Sequence, residues 1–305
     1  FIKAFCNQEH PITLFLDDLQ WADTPSIALV ETILTNPEIK YLLLILSFRD
    51  NEVLPADPFS IMLENLKKKG IHFKSILLNP FSVQDISNLV SDTLRCEKKD
   101  ARDLAEVLFK KTKGNPFFVT EMFKNLHEKS LIVYREEKWN WNIQKIEEAK
   151  ISENVIDLLV EKVKDLSLSQ AETLKLAACI GDSFQAEILF LVSDKEREVV
   201  NEELTTISNE GFLIVTKNIV RFVHDKVREA TYTLISEYEK SKNHYLIGNA
   251  YIKHLKEEER EDFIFTIVSQ LNLGITFNYT LEEKRRLVQL NTIAGNKALA
   301  STAYD

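Results

Sequence analysis

Two adjacent carboxylates close an apolar run near the start of the chain: Asp17 and Asp18 in LFLDDLQWAD, Leu14 to Asp23. A short apolar segment followed by polar residues reads as a central, buried strand of a parallel sheet. Acids at its end have two readings. They are solvated punctuation, or they form the acidic rim of a nucleotide-hydrolysing site. Open parallel sheets bind ligands at the carboxyl ends of their strands. A carboxylate there holds Mg²⁺, because hard cations take oxygen ligands. A second one beside it orients the attacking water. Asp17 fits the metal role and Asp18 the water role.

Three further places carry usable chemistry. The apolar run YLLLILSFRD, Tyr41 to Asp50, reads as a second buried strand and ends in Arg49. An arginine on the same rim is an ion-pair partner or a sensor that meets a γ-phosphate through its planar fork. KGNPFF, Lys113 to Phe118, lies between two helical stretches. Gly114 and Pro116 either end one helix and open the next, or place the proline as a rigid apolar contact for an adenine ring. FVHDKVREA, Phe222 to Ala230, holds His224 and Asp225. They are a helix cap with a satisfied neighbour, or His224 donates to a nucleotide phosphate.

Positioning these groups takes a mixed architecture. All seven prolines lie at or before Pro116, and the remainder carries helical periodicity. Residues 1–79 alternate strand and helix, as in a parallel α/β sheet. The strand Ile12–Leu16 leads to a helix Pro25–Leu34 capped by Asp23 or Thr24. A helix Phe59–Lys69 stops at Gly70, and KSILLNPFS reads as a third strand closing at Pro80. Residues 80–150 read as helices followed by a hairpin, LIVYREEKWNWNI. Trp139 and Trp141 share one of its faces, for packing or for stacking. Residues 151–240 read as helices followed by the hairpin FLIVTKNIVRFV, turning at Lys217-Asn218, which is a winged-helix pattern. Residues 241–305 are helical, with Ala294, Ala298 and Ala300 at the close-packing spacing of a stacked repeat.

Composition excludes several classes. Hydrophobic residues make up 45% and charged residues 28%, a globular rather than a disordered balance. No apolar run reaches the ~20 residues of a membrane helix, and no signal peptide is visible. Cys6, Cys96 and Cys179 are scattered without metal-ligand spacing and read as thiols of a reducing cytoplasm. A net charge of −9 disfavours nucleic acid as a partner. The first residue is Phe1 rather than Met, and both ends fall in mid-pattern, as in a piece of a longer protein.

LFLDDLQWAD, LLLILSFRDNEV, KTKGNPFFVTEM, LAACIGDSF, FVHDKVREATYTLI and LNTIAGNKALASTAY occur in this order. Together they resemble the STAND-type AAA ATPase module of large bacterial signalling proteins. Such proteins carry a serine/threonine-kinase-like domain before the module and sensor and histidine-kinase domains after it. The resemblance covers essentially the whole chain. It implies the C-terminal part of a P-loop NTPase core over 1–79, a helical lid with a hairpin over 80–150, a winged helix over 151–240 and the start of TPR-like repeats over 241–305. It also implies roles. Asp17 is similar to the Mg²⁺-linked Walker B acid, Asp18 to the water-positioning acid, and Arg49 to the sensor. Gly114 and Pro116 match the Gly-x-Pro of the lid. His224 and Asp225 resemble the pair that holds an ADP-bound, closed state, although Val223 stands where methionine is usual.

The family's phosphate-binding loop, Gly-x4-Gly-Lys-Ser/Thr, is not in this chain, since no glycine is followed by lysine. The nucleotide site is therefore expected to be incomplete here, with ATP or ADP and Mg²⁺ bound by the intact parent, a slow ATPase. The expected function is an ATP/ADP-dependent switch in a signalling kinase. Its expected partners are the flanking kinase and sensor domains and proteins that dock on the helical C-terminal part. The sequence also admits two rival functions. One is a winged-helix transcription regulator, against which DKEREVVNEELTTISNEG sets six acids, Asp194, Glu196, Glu198, Glu202, Glu203 and Glu210. The other is an interaction scaffold with a vestigial nucleotide site.

Overall fold

The computed structural model describes residues 2–149, 154–277 and 279–300. The chain forms two compact units, one from Phe1–Leu77 with Val288–Asp305 and the other from Leu78–Leu287.

In the first unit, strands β1 (Ile12–Leu16) and β2 (Leu42–Leu46) run parallel, in register from Ile12 opposite Leu42 to Leu16 opposite Leu46. The helix Thr24–Thr35 crosses between them. Its N-terminus is fixed by Asp23, whose carboxylate accepts the Ser26 N–H at 2.9 Å, and by Pro25 in the first turn. A second helix, Pro58–Lys68, ends ahead of Gly70, which takes φ 73°. Leu19, Ile27, Val30, Phe59, Met62 and Leu66 form the small core beneath the strands.

Two expectations for this part are corrected. The segment Lys74–Ser82 forms no strand, and Ile76, Leu77 and Leu78 are exposed. Apolar content marks a segment as able to be buried, but a strand also needs a neighbour for its N–H and C=O groups. β1 and β2 pair with each other and with no third strand among the described residues. Nor are β1 and β2 buried on both faces. Leu16, Leu44 and Leu46 meet the core, whereas Phe15, Leu43 and Ile45 are 56, 56 and 45% exposed. Strand side chains alternate, so one layer of helices covers only every second residue.

In the second unit, helices Val83–Leu94, Lys98–Thr112 and Pro116–Glu128 share a core that includes Ile86, Val90, Leu104, Leu108, Met122 and Leu126. The hairpin of β3 (Ile132–Arg135) and β4 (Lys138–Trp141) turns on Glu136 and Glu137, both at positive φ. Trp139 and Trp141 lie on one face of it, opposite Tyr134 and Ile132, and pack against that core. Helices Val155–Lys164, Leu168–Ile180, Ala186–Val192 and Arg197–Asn209 follow. With them stands an antiparallel sheet of β5 (Ser183–Gln185), β6 (Leu213–Thr216) and β7 (Ile219–Phe222), ordered β5-β7-β6. Its hairpin turns at Lys217-Asn218 as the sequence indicates, while β5, at three residues, is too short to show as a periodic pattern. Helices Asp225–Thr233, Glu237–His254, Glu257–Asp262 and Ile264–Leu273 follow, and the last described helix, Leu281–Ala300, starts in this unit and from Val288 onward belongs to the first. The end of the last sequence motif, residues 301–305, lies outside the described residues. A mixed α/β beginning followed by mostly helical structure is thus observed.

A buried polar chain ties helices of this unit together. The Gln270 amide donates to the Cys179 and Ile180 carbonyls at 3.1 and 3.0 Å, so its oxygen, 2.6 Å from His244 Nδ1, accepts. His244 therefore carries its proton on Nδ1, and Nε2 accepts from the Tyr232 hydroxyl at 2.8 Å. Burial lowers the His244 pKa, with Arg228 and Lys240 adding to the effect and the Gln270 bond opposing it. The unfolded chain then binds a proton first. Stability contributed by neutral His244 is present above the ordinary histidine value of ~6.5 and is lost as pH falls below it. Chemical denaturation of the chain followed at pH 7.5 and 5.5 is expected to show a lower midpoint at pH 5.5. The drop should be smaller in His244→Gln, and equal drops would remove His244 as the cause.

Candidate functional site

The carboxyl ends of β1 and β2 bring five polar or charged side chains, Asp17, Asp18, Gln20, Ser47 and Arg49, onto one rim within the first unit. Backbone hydrogen bonds stitch the two strand ends together: Ser47 N–H donates to Leu16 O at 2.9 Å and Leu19 N–H to Ser47 O at 3.0 Å. The Ser47 hydroxyl donates to the Asp17 carboxylate. Asp18 adopts the left-handed conformation, φ 55° and ψ 44°. That conformation costs a typical L-residue about 1–2 kcal/mol and is tolerated best by Asp and Asn. It is held here by the Asp18 N–H bond to Asp17 Oδ1, 3.1 Å, and by the Gln20 amide donating to Asp18 Oδ1, 2.8 Å. Backbone strain of this kind clusters at functional sites.

Arg49 stands three residues past the end of β2, a small correction to a strand reading that ran to Asp50. Its guanidinium lies 3.6 Å from Asp18, 3.1 Å from Glu52 and 5.2 Å from the centre of the Trp21 ring. Its backbone N–H donates to Gln20 Oε1 at 3.2 Å. The structure therefore brings Asp17, Asp18 and Arg49 together. Ser47 and Gln20 complete the arrangement and were missed in the sequence, although both sit inside the motifs. Ser47 is the first polar residue after the apolar run, which is the available signal for a rim hydroxyl. No comparable signal marks Gln20.

The rim suits a hard divalent cation in one respect. Asp17 and Ser47 offer a carboxylate and a hydroxyl side by side, the oxygen chemistry that Mg²⁺ takes. Among the described residues no group of three or more His, Cys, Asp or Glu side chains forms a metal cage. Mg²⁺ seldom uses such cages, since it keeps waters and shares its coordination with substrate phosphates.

The remaining predicted residues lie in the second unit. Lys113, left-handed at φ 53°, ends one helix, and Asn115 caps the next by accepting the Phe118 N–H at 2.9 Å. Pro116 opens that helix and is exposed. Gly114 takes φ 77° and its carbonyl accepts the Phe81 N–H at 2.8 Å. A Cβ there would stand 2.1 Å from the Phe81 carbonyl oxygen, so only glycine fits. Phe117, next after Pro116, stacks on the His224 ring, centroids 4.1 Å apart and planes 16° from parallel. His224 caps the helix Asp225–Thr233, with Nδ1 3.1 Å from the Lys226 N–H, and also pairs with the adjacent Asp225. The segment that holds Gly114 and Pro116 is thus linked through Phe117 to His224, 107 residues further along the sequence. The helix that carries Phe117 is further tied down by Glu121. Burial works against that carboxylate, but Lys124 and Lys162, at 2.9 and 3.1 Å, hold it below the usual carboxylate range.

The acidic helix of the second hairpin region is less uniformly exposed than its sequence suggests. Glu203 is buried and accepts from Lys195 at 2.9 Å, and from Ser169 and Thr173. Burial opposes its ionisation, and these donors together keep its pKa lowered. All three cysteines are free; burial pushes the Cys179 thiol up to about 11, away from reactive chemistry. No helix among the described residues is long and apolar enough to cross a membrane.

No family model matches the chain. Over 322 aligned residues it is 28% identical to the Hybrid signal transduction histidine kinase G of Dictyostelium discoideum, an alignment covering 88% of this chain and 9% of that protein. The chain spans less than a tenth of that relative's length. Similarity along most of this chain places it beside a segment of a signal-transduction protein.

Proposed function

We propose that the chain is the switch segment of a nucleotide-responsive signalling kinase, in which ATP and ADP favour different arrangements of its parts. The observation that carries the reading is the rim of β1 and β2, where two carboxylates, a hydroxyl and a guanidinium meet at the carboxyl ends of parallel strands. In this reading Asp17 and Ser47 hold Mg²⁺, Asp18 orients water, and Arg49 leaves Asp18 for a γ-phosphate. Mg²⁺, when bound, supplies charge neutralisation for the phosphates. The residues from Val83 to Trp141 serve as lid, those from Val155 to Thr233 as a winged helix, and the helices beyond as the beginning of a TPR-like stack. His224 contacts a phosphate of bound ADP. The similarity to a signal-transduction histidine kinase supports the setting.

The test is ADP affinity of the full-length protein with His224→Ala. Losing a hydrogen bond to a charged group costs about 1.5–3 kcal/mol, so the dissociation constant should rise roughly 10- to 150-fold. A change of less than about twofold, inside the scatter of such measurements, would exclude the contact.

A further inference from the structure

We propose that Phe117 is a positioning residue for His224, fixing the plane of the imidazole so that it presents one edge to a nucleotide phosphate. The proposal rests on the nucleotide reading of His224 given above. Three features of the geometry support it. The two rings are nearly parallel, 16° apart, at a centroid distance of 4.1 Å, which blocks rotation of the imidazole about its χ2 bond. The Nδ1 edge faces the Lys226 N–H, from which a bare Nδ1 accepts, and the Asp225 carboxylate, to which a protonated Nδ1 donates, so in either state that edge has a partner while Phe117 covers the face. Phe117 itself stands on a rigid platform. The Asn115 cap, Pro116 in the first turn and the close approach of Gly114 to Phe81 define the start of its helix.

A purely structural role for Phe117 would use it as packing. Yet it is half-buried rather than buried, and its neighbour Phe118 already fills the core position at 5% exposure. Phe117 instead faces a side chain from another part of the unit, across 107 residues of sequence.

The experiment uses the full-length protein with Phe117→Ala, Phe117→Tyr and Phe117→Leu, each alone and combined with His224→Ala. The ring protons of His224, identified by their disappearance in His224→Ala, are recorded by NMR, and ADP affinity is measured for every variant. The stack predicts an upfield ring-current shift of the His224 protons that Phe117→Tyr keeps and Phe117→Ala and Phe117→Leu lose. Losing an aromatic pair should raise the ADP dissociation constant roughly 2- to 12-fold in Phe117→Ala and Phe117→Leu, with Phe117→Tyr restoring it. In the double variants the Phe117 effect should vanish, because there is no imidazole left to position. Phe117→Leu keeps apolar volume, so it reports on the ring even where Phe117→Ala disturbs folding.

Three results would overturn the proposal. One is a wild-type spectrum without the ring-current shift. Another is an ADP affinity that ignores the loss of Phe117 while still responding to His224→Ala, which leaves the nucleotide reading standing. The last is an affinity that ignores His224→Ala as well, which removes both.

Discussion

On the nucleotide reading proposed above, Asp18→Asn in the full-length protein is expected to leave ATP binding close to wild type and to reduce steady-state hydrolysis at least about 100-fold, the lower bound for loss of a positioned proton acceptor. The structure makes this substitution unusually clean. Asp18 sits in the left-handed region at φ 55°, which Asn occupies as readily as Asp, so the backbone has no reason to move. The side-chain oxygen that accepts from Gln20 survives in the amide. What disappears is the negative charge facing Arg49 at 3.6 Å and the capacity to take a proton from water. Removing a charge near a triphosphate also reduces repulsion, so binding should if anything tighten. Asp18→Ala is the less informative variant, since alanine in the left-handed conformation adds a backbone cost of about 1–2 kcal/mol to the loss of chemistry. Phosphate release measured beside calorimetric ATP binding separates the two effects. Unchanged turnover would take Asp18 out of the reaction and would favour the reading of the two acids as a solvated strand end.

Much of this arrangement is legible from local signals. Asp23 ahead of Pro25, Gly70 after an amphipathic run and Gly114 ahead of Pro116 each specify a helix end through their own backbone preferences, and each stands at one in the structure. The Lys217-Asn218 turn is likewise written in the two strands around it. What local signals leave open is pairing. The apolar stretch around Ile76 reads as a strand by composition, yet it pairs with no strand among the described residues and is exposed. The runs of β1 and β2 are apolar at every position of Leu14–Leu16 and Leu42–Leu46, and nothing in them tells which face meets helices. The site shows the same division. Asp17 and Asp18 announce themselves by being charged at the end of an apolar run. Ser47 and Gln20 acquire their roles from a strand register that joins residues about thirty positions apart. Phe117 looks like a core aromatic beside Phe118, and only tertiary packing turns one ring inward and the other onto His224.

The open face of β1 and β2 determines how the 305-residue chain behaves by itself. Two strands of five residues joined to one small core are at the margin of independent stability. Phe15, Leu43 and Ile45 present a contiguous apolar strip on the uncovered side, and the outer edges of the pair are unpaired among the described residues. The helices of the second unit are in a different position, with Leu104, Leu108, Met122 and Leu126 fully enclosed. Amide exchange of the isolated chain is therefore expected to be several orders of magnitude faster through residues 12–46 than through residues 101–126, because local opening near the strands costs little free energy. Nucleotide affinity should be correspondingly poor. The rim offers two carboxylates and one guanidinium that is already engaged, and no glycine-lysine pair in the chain provides a phosphate nest. A Mg-ATP dissociation constant of about a millimolar or weaker is expected, equivalent to roughly 4 kcal/mol of binding free energy or less. Titration with Mg-ATP and hydrogen exchange on the same sample check both expectations together. Micromolar binding with uniformly slow exchange through the two strands would mean that the rim of β1 and β2 is a self-sufficient site, stable and able to hold phosphates with only the residues in this chain.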